Sequence, residues 1–302
     1  MAQINLQWQS KVVLLLVLPA TGAEIVLQTQ WCVSHDWQVA LWTLGMSLIF
    51  ASVVLKLRAA TPMAALAGAA ITACLIFSTM IYWPTAGLPF APWHTALMPI
   101  LAVVGLTLLS TRLGRMHKEM LGTAERRQGR TAAQVAANLG VAAMASSFFV
   151  QLWLIDTHWF STSGLAPIPI FAPVLAALAE AGADTVSSEI GQVLGRRPRM
   201  MTTLRRVEPG TNGGISLVGT LAGVAAAAMI AAVGAWALGG GVEIFWVSTA
   251  GGVFGFFFDS LLGATLERRG WLNNDAVNFL STASAAVFAL AILALMPHPG
   301  VR

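Results

Sequence analysis

Residues 180–216 read EAGADTVSSEIGQVLGRRPRMMTTLRRVEPGTNGGIS. Three carboxylates, Glu180, Asp184 and Glu189, close an apolar segment. Five arginines follow, Arg196, Arg197, Arg199, Arg205 and Arg206, and then the loop PGTNGG opens the next apolar run. Ionisable groups at the end of an apolar segment are costly in lipid and are held there by function or by pairing.

The chain around this stretch is 57% hydrophobic and only 10% charged, against about 25% charged residues in an ordinary soluble domain. An all-α, polytopic transmembrane helix bundle is the expectation. Runs long enough to cross a bilayer, roughly 20 residues each, fall at 12–29, 38–56, 62–83, 93–111, 132–154, 167–188, 215–238, 243–263 and 276–296. The N-terminal run continues past Ala20 and reads as an uncleaved first helix rather than a signal peptide. The intervals 30–37, 84–92, 155–166 and 239–242 hold no Lys or Arg, whereas the alternate loops carry nearly all of them. That asymmetry predicts nine spans with the N-terminus cytoplasmic and the C-terminus outside. It also explains the net charge of +4 as topology, with no nucleic-acid partner implied. Cys32 and Cys74 form neither a disulfide framework nor a metal box.

Sequence character changes at Arg112. Residues 1–111 read as a four-helix scaffold and 112–302 as a five-helix catalytic core with basic cytoplasmic loops. Arg112, Arg115, Lys118 and Lys56 read as topogenic or lipid-facing charges. Glu24, near the outer end of the first run, reads as interfacial or solvated.

Spacing gathers the polar residues onto helix faces. Arg130, Gln134 and Asn138 recur every four residues; so do Glu180, Asp184 and Ser188, and Gly255, Asp259, Gly263 and Glu267. Counted from the loops, they lie at similar depth on the cytoplasmic side, with Glu180 deepest. Carboxylates beside arginines suit phosphate chemistry: Mg²⁺ takes one or two carboxylates plus substrate phosphates, and arginine binds phosphate bidentately. Gly210, Thr211, Asn212, Gly213 and Gly214 offer backbone N–H groups before a helix start. There is no P-loop and no G-x-G-x-x-G. For Arg196, Arg197, Arg205 and Arg206, a ligand phosphate is the favoured partner.

Four stretches occurring in order, RRQGRTAAQVAANLG, ALAEAGADTVSSEIGQ, TTLRRVEPGTNGGISLVGTLAG and FGFFFDSLLGATLERRGWLNNDAVNFLST, resemble the integral-membrane family that includes the phytyl-phosphate kinase of plants and cyanobacteria. The resemblance covers roughly 112–296; the first four runs match only in hydropathy. It implies a kinase that uses a nucleoside triphosphate (CTP or ATP) and Mg²⁺ to convert an isoprenoid monophosphate into the diphosphate. The expected setting is a bacterial inner membrane or a plastid-type membrane, with the site facing the cytoplasm. Carried onto this chain, Asp184 and Asp259 would hold the metal, with Glu189 as a further ligand. Arg205 and Arg206 would clamp phosphate, with Arg196 and Arg197. Asn138, Asn212, Asn274 and Asn278 would orient sugar, base or phosphate. The family is distantly similar to CTP-using phytol and dolichol kinases and to phosphatidate cytidylyltransferase. A nucleotidyltransferase acting on a lipid phosphate therefore stays open, as does a polyprenyl-phosphate transporter.

Overall fold

The computed structural model describes residues 6–80, 89–123, 128–156, 168–195 and 197–296. Its helices are α1 (Gln7–His35), α2 (Trp37–Lys56), α3 (Pro62–Thr79), α4 (Leu97–Arg112), α5 (Arg115–Met120), α6 (Ala132–Ser146), α7 (Phe148–Asp156), α8 (Ala172–Leu194), α9 (Leu217–Ala237), α10 (Gly241–Leu262) and α11 (Asn274–Leu295). Each of the nine expected segments is occupied by a helix or, for 132–154, by the pair α6–α7. Among the described residues six helices are long and apolar enough to cross a membrane, or seven where the bent α6–α7 pair is counted as one span. α4 has only 16 residues, and α8 carries Glu180, Asp184 and Glu189. The protein is an all-α, polytopic membrane protein.

Local chemistry sets the boundaries. Thr61 caps α3 ahead of Pro62, Thr131 and Gln134 form a reciprocal capping box on α6, Ser216 caps α9 and Asn273 caps α11. Each satisfies amides that a helix start leaves open.

α8 is the centre of the bundle, packed against α4, α6, α9, α10 and α11. Its residues 172–183 are all buried, and half of them are Ala. Small side chains let the surrounding backbones close in, which is how helices associate where lipid removes the hydrophobic drive. At Gly252 and Gly255 of α10, an added methyl would press on Ala179 and on Glu180 and Ala285 respectively. One continuous apolar core joins both halves of the chain, from Val13 to Leu293. α1 is tied to the start of α11 through Gln9, which donates to the Trp271 carbonyl (2.8 Å) and accepts from the Asn273 amide (2.7 Å).

Two expectations change here. The segment 132–154 is not one straight helix but bends by 54° at Ser147. The hydroxyls of Ser146 and Ser147 bond back to the carbonyls of Ala143 and Met144, competing with the helical ladder. Glu24 is not solvated: it is 1% exposed, accepts the Phe148 amide that opens α7 (3.2 Å) and is held by Gln28 (2.9 Å). Its carboxylate supplies the acceptor that the broken helix lacks.

Candidate functional site

α8 passes Asp184, Ser187, Ser188 and Gly191 along one face, at the spacing that stacks side chains on a helix. These residues line a cavity of about 230 Å³. The far wall is the connection between α8 and α9. This connection is braced by a short antiparallel ladder, β1 (Arg199–Met200) on β2 (Gly214–Ile215), and by the bond from the Met201 amide to the Gly213 carbonyl (3.0 Å). It presents Pro209, Gly210, Thr211, Asn212, Gly213 and Gly214 to the cavity. Asp259, Ser260, Gly263 and Glu267 close it from the end of α10, and Asn274 from the start of α11.

Gly213 carries φ +71°, and a methyl there would overlap the backbone of Ala264. The glycine loop therefore rests main chain against main chain on the wide π-type turn Gly263–Glu267. Turns of that kind recur at functional sites. The same close approach brings Asp259, one turn earlier, under the loop.

Asp184 and Asp259 both line this cavity, close enough for each to act electrostatically on the other. Glu180 stands one turn behind Asp184, and Ser281 of α11 lies beside both Glu180 and Asp259. Asp184 and Asp259 keep part of their surface open, whereas Glu180 is 1% exposed. Asp259 Oδ2, Glu180 Oε1 and Gln192 Oε1 are buried without a hydrogen-bond partner among the described residues. Orphaned buried oxygens of this sort call for an ion, a water or a ligand group. Two carboxylates on one cavity, one of them with an orphaned oxygen, suit the hard-oxygen donor set that Mg²⁺ takes when phosphates complete its shell. No cluster of three or more His, Cys, Asp or Glu side chains closes on one metal position among the described residues.

The residues expected to form the site divide. Asp184, Asp259, Gly210, Thr211, Asn212, Gly213, Gly214 and Asn274 are brought around one cavity. Glu189 is not among them. It lies on another face of α8, ion-paired with Lys118 and close to the Thr111 hydroxyl. Lys118, read from the sequence as a lipid-facing charge, is 1% exposed and also donates to the carbonyls of Ser110 (3.0 Å) and Thr111 (2.7 Å) at the end of α4. Arg197, Arg205 and Arg206 are exposed and do not line the cavity; Arg196 lies outside the described residues. Asn138 is buried and borders a second, separate cavity. The Asn278 carbonyl accepts the Ser281 and Thr282 hydroxyls. Three contributors went unassigned. They are Glu180, which sequence depth places deepest, and Glu267 and Arg130, which sequence spacing places only in helical stripes. Arg130 Nη2 donates to Thr185 Oγ1 (3.1 Å), and its charge acts on Asp184.

A bundle of apolar helices around a pocket of paired carboxylates and a glycine loop defines the class: a polytopic integral membrane protein with a polar site built into its helix core. Within that class the chain belongs to the integral membrane protein family DUF92, which matches residues 45–286. It is similar to an uncharacterised membrane protein of Methanocaldococcus jannaschii, 42% identical over 118 residues. It is also similar to an uncharacterised membrane protein of Synechocystis (32% over 222 residues) and to the chloroplastic protein VTE6 of Arabidopsis thaliana (28% over 184 residues). These matches cover 39%, 70% and 60% of this chain respectively. The chain spans about half the length of the archaeal and plant relatives, 49% and 53%, and 77% of the cyanobacterial one. No solved structure matches.

Proposed function

We propose that this protein is a membrane kinase that transfers the γ-phosphoryl group of a nucleoside triphosphate to an isoprenoid monophosphate. The observation that carries the reading is that Asp184 and Asp259, from separate helices, share one cavity with the glycine loop 209–214. Similarity to VTE6 and the family resemblance of the four motifs support the choice of substrate class.

Phosphoryl transfer demands positioning and charge neutralisation more than covalent chemistry. Asp184 and Asp259 are the residues that would hold Mg²⁺, which when bound supplies positive charge to the phosphates. Backbone amides of the glycine loop cradle the nucleotide phosphates. Arg205 and Arg206, exposed on the same connection with Arg197, attract the anionic nucleotide at longer range. An anionic oxygen of the acceptor phosphate attacks the γ-phosphorus; the bond from that phosphorus to the β–γ bridging oxygen breaks, and the nucleoside diphosphate leaves with the electron pair. The acceptor oxygen is already anionic at neutral pH, so no strong general base is needed.

The test is turnover by purified protein in detergent, given phytyl or geranylgeranyl monophosphate, Mg²⁺ and each of ATP, CTP, GTP and UTP. Label from the γ-position should appear in the lipid diphosphate. Label from the α-position would instead show a nucleotidyltransferase, and absence of any labelled lipid would remove the kinase reading.

A further inference from the structure

A second cavity, of about 470 Å³, lies among α2, α3, α4 and α6, within the range of about 300–1,000 Å³ typical of small-molecule sites. Its depth is apolar, walled by Phe50, Val103 and Leu139. Its polar part holds four arginines, Arg58, Arg112, Arg115 and Arg130, against one carboxylate, Glu119. An apolar chamber continuous with a cluster of guanidinium groups is complementary to an amphiphile with one compact, multiply charged anionic head.

Three of the arginines are held by side-chain bonds, and the fourth, Arg58, sits on a constrained turn. The turn between α2 and α3 is bonded to the start of α6: the Arg130 amide donates to the Ala59 carbonyl (2.9 Å) and the Thr61 amide to the Arg130 carbonyl (3.0 Å). Arg112 Nη2 is anchored on the Leu57 carbonyl of the same turn (2.9 Å). Arg58 is held at φ +53°, a left-handed conformation that a residue with a Cβ keeps only when its surroundings impose it. Arg115 pairs through Nε with Glu119 (3.1 Å), while its Nη2 is buried with no hydrogen-bond partner among the described residues. A buried guanidinium nitrogen without an acceptor leaves a hydrogen bond for a ligand to make.

We propose that this cavity is the acceptor site. It takes a phosphate monoester on a single long apolar chain, the phosphate on the four arginines and the chain between α2, α3, α4 and α6. The inference rests on the kinase reading above and deepens it. Arg130 joins the two cavities: it lines the acceptor site, donates to Thr185 of α8 and acts electrostatically on Asp184. The acceptor phosphate thus approaches the carboxylates across Arg130. Helices α2–α4 supply substrate recognition, not only support.

The experiment uses the full chain in detergent without nucleotide and a geranylgeranyl monophosphate carrying a photoreactive diazirine at the tail end. Crosslinks should map to Phe50, Val103 or Leu139. Unlabelled geranylgeranyl monophosphate should compete, whereas geranylgeraniol, inorganic phosphate and phosphatidylglycerol should not. Arg58→Gln and Arg115→Gln should each weaken labelling by about tenfold, as expected for loss of one charge-assisted hydrogen bond, with unchanged melting temperature. Crosslinks confined to the carboxylate cavity, or equal competition by phosphatidylglycerol, would overturn the assignment. If turnover is robust but Arg115→Gln leaves the KM for the lipid unchanged, the acceptor site is misplaced while the kinase reading stands. If the label maps to this cavity but no nucleotide yields a diphosphate, the cavity stands and the kinase reading fails.

Discussion

Asp184 on α8 and Asp259 on α10 line one cavity and act on each other electrostatically, and one buried oxygen of Asp259 has no hydrogen-bond partner among the described residues. Two anionic groups that close, with Glu180 behind them, repel one another unless a cation or a proton intervenes. The arrangement opposes stability and favours ligand binding.

Asp259→Asn and Asp184→Asn should therefore separate stability from activity. We predict a loss of turnover of at least about a hundredfold, in the range found when one transition-state stabilising group is removed. In metal-free buffer the melting temperature should hold or rise, because like-charge repulsion is relieved. Turnover and thermal unfolding measured side by side decide it; an active Asp259→Asn protein would take that residue out of the metal site. In the wild type, chelation by EDTA should abolish turnover, and Mg²⁺ should restore it and raise the melting temperature.

Gly213→Ala tests the loop. The substitution imposes a Cβ at φ +71° against the Ala264 backbone, and the left-handed conformation alone costs about 1–2 kcal/mol. We expect nucleotide KM to rise while lipid binding in the second cavity is retained. Unchanged nucleotide KM would mean that the loop does not contact the nucleotide.

Lys118 and Glu189 provide a structural control. Removing one member of a buried ion pair costs about 3–5 kcal/mol, whereas an apolar replacement of both is often tolerated. Lys118→Met should thus lower the melting temperature sharply, and adding Glu189→Leu should recover most of the loss. The double variant should keep its Mg²⁺ dependence; loss of that dependence would return Glu189 to the metal site.

Glu24 should behave as a helix cap. Glu24→Ala is expected to destabilise by about 0.5–2 kcal/mol, typical of a lost N-terminal acceptor. Glu24→Gln, which keeps an oxygen for the Phe148 amide, should cost less. Equal effects of the two substitutions would show that charge rather than capping matters there.

Much of the architecture was legible because lipid imposes simple rules. Apolar runs of spanning length and the sorting of Lys and Arg into alternate loops marked nine helical segments, and each is helical. The bend at Ser147 was not legible, since it depends on the backbone bonds of Ser146 and Ser147 and on Glu24, more than a hundred residues away in the chain. Nor was the central place of α8 legible: its carboxylates make it polar by composition, and only the packing of five helices around it buries Glu180.

Sequence by itself determined the membrane class, the helical segments, and the convergence of Asp184, Asp259 and PGTNGG, because helical periodicity and distance from a loop fix face and depth. Only the tertiary structure decided which charges share a space. It paired Glu189 with Lys118, left Arg197, Arg205 and Arg206 outside the carboxylate cavity, drew Glu180 and Arg130 to Asp184, and gathered Arg58, Arg112 and Arg115 around a separate chamber. The physical reason is that a helix's own sequence states which residues share a face, while the neighbour that face meets is set by packing between segments far apart in the chain.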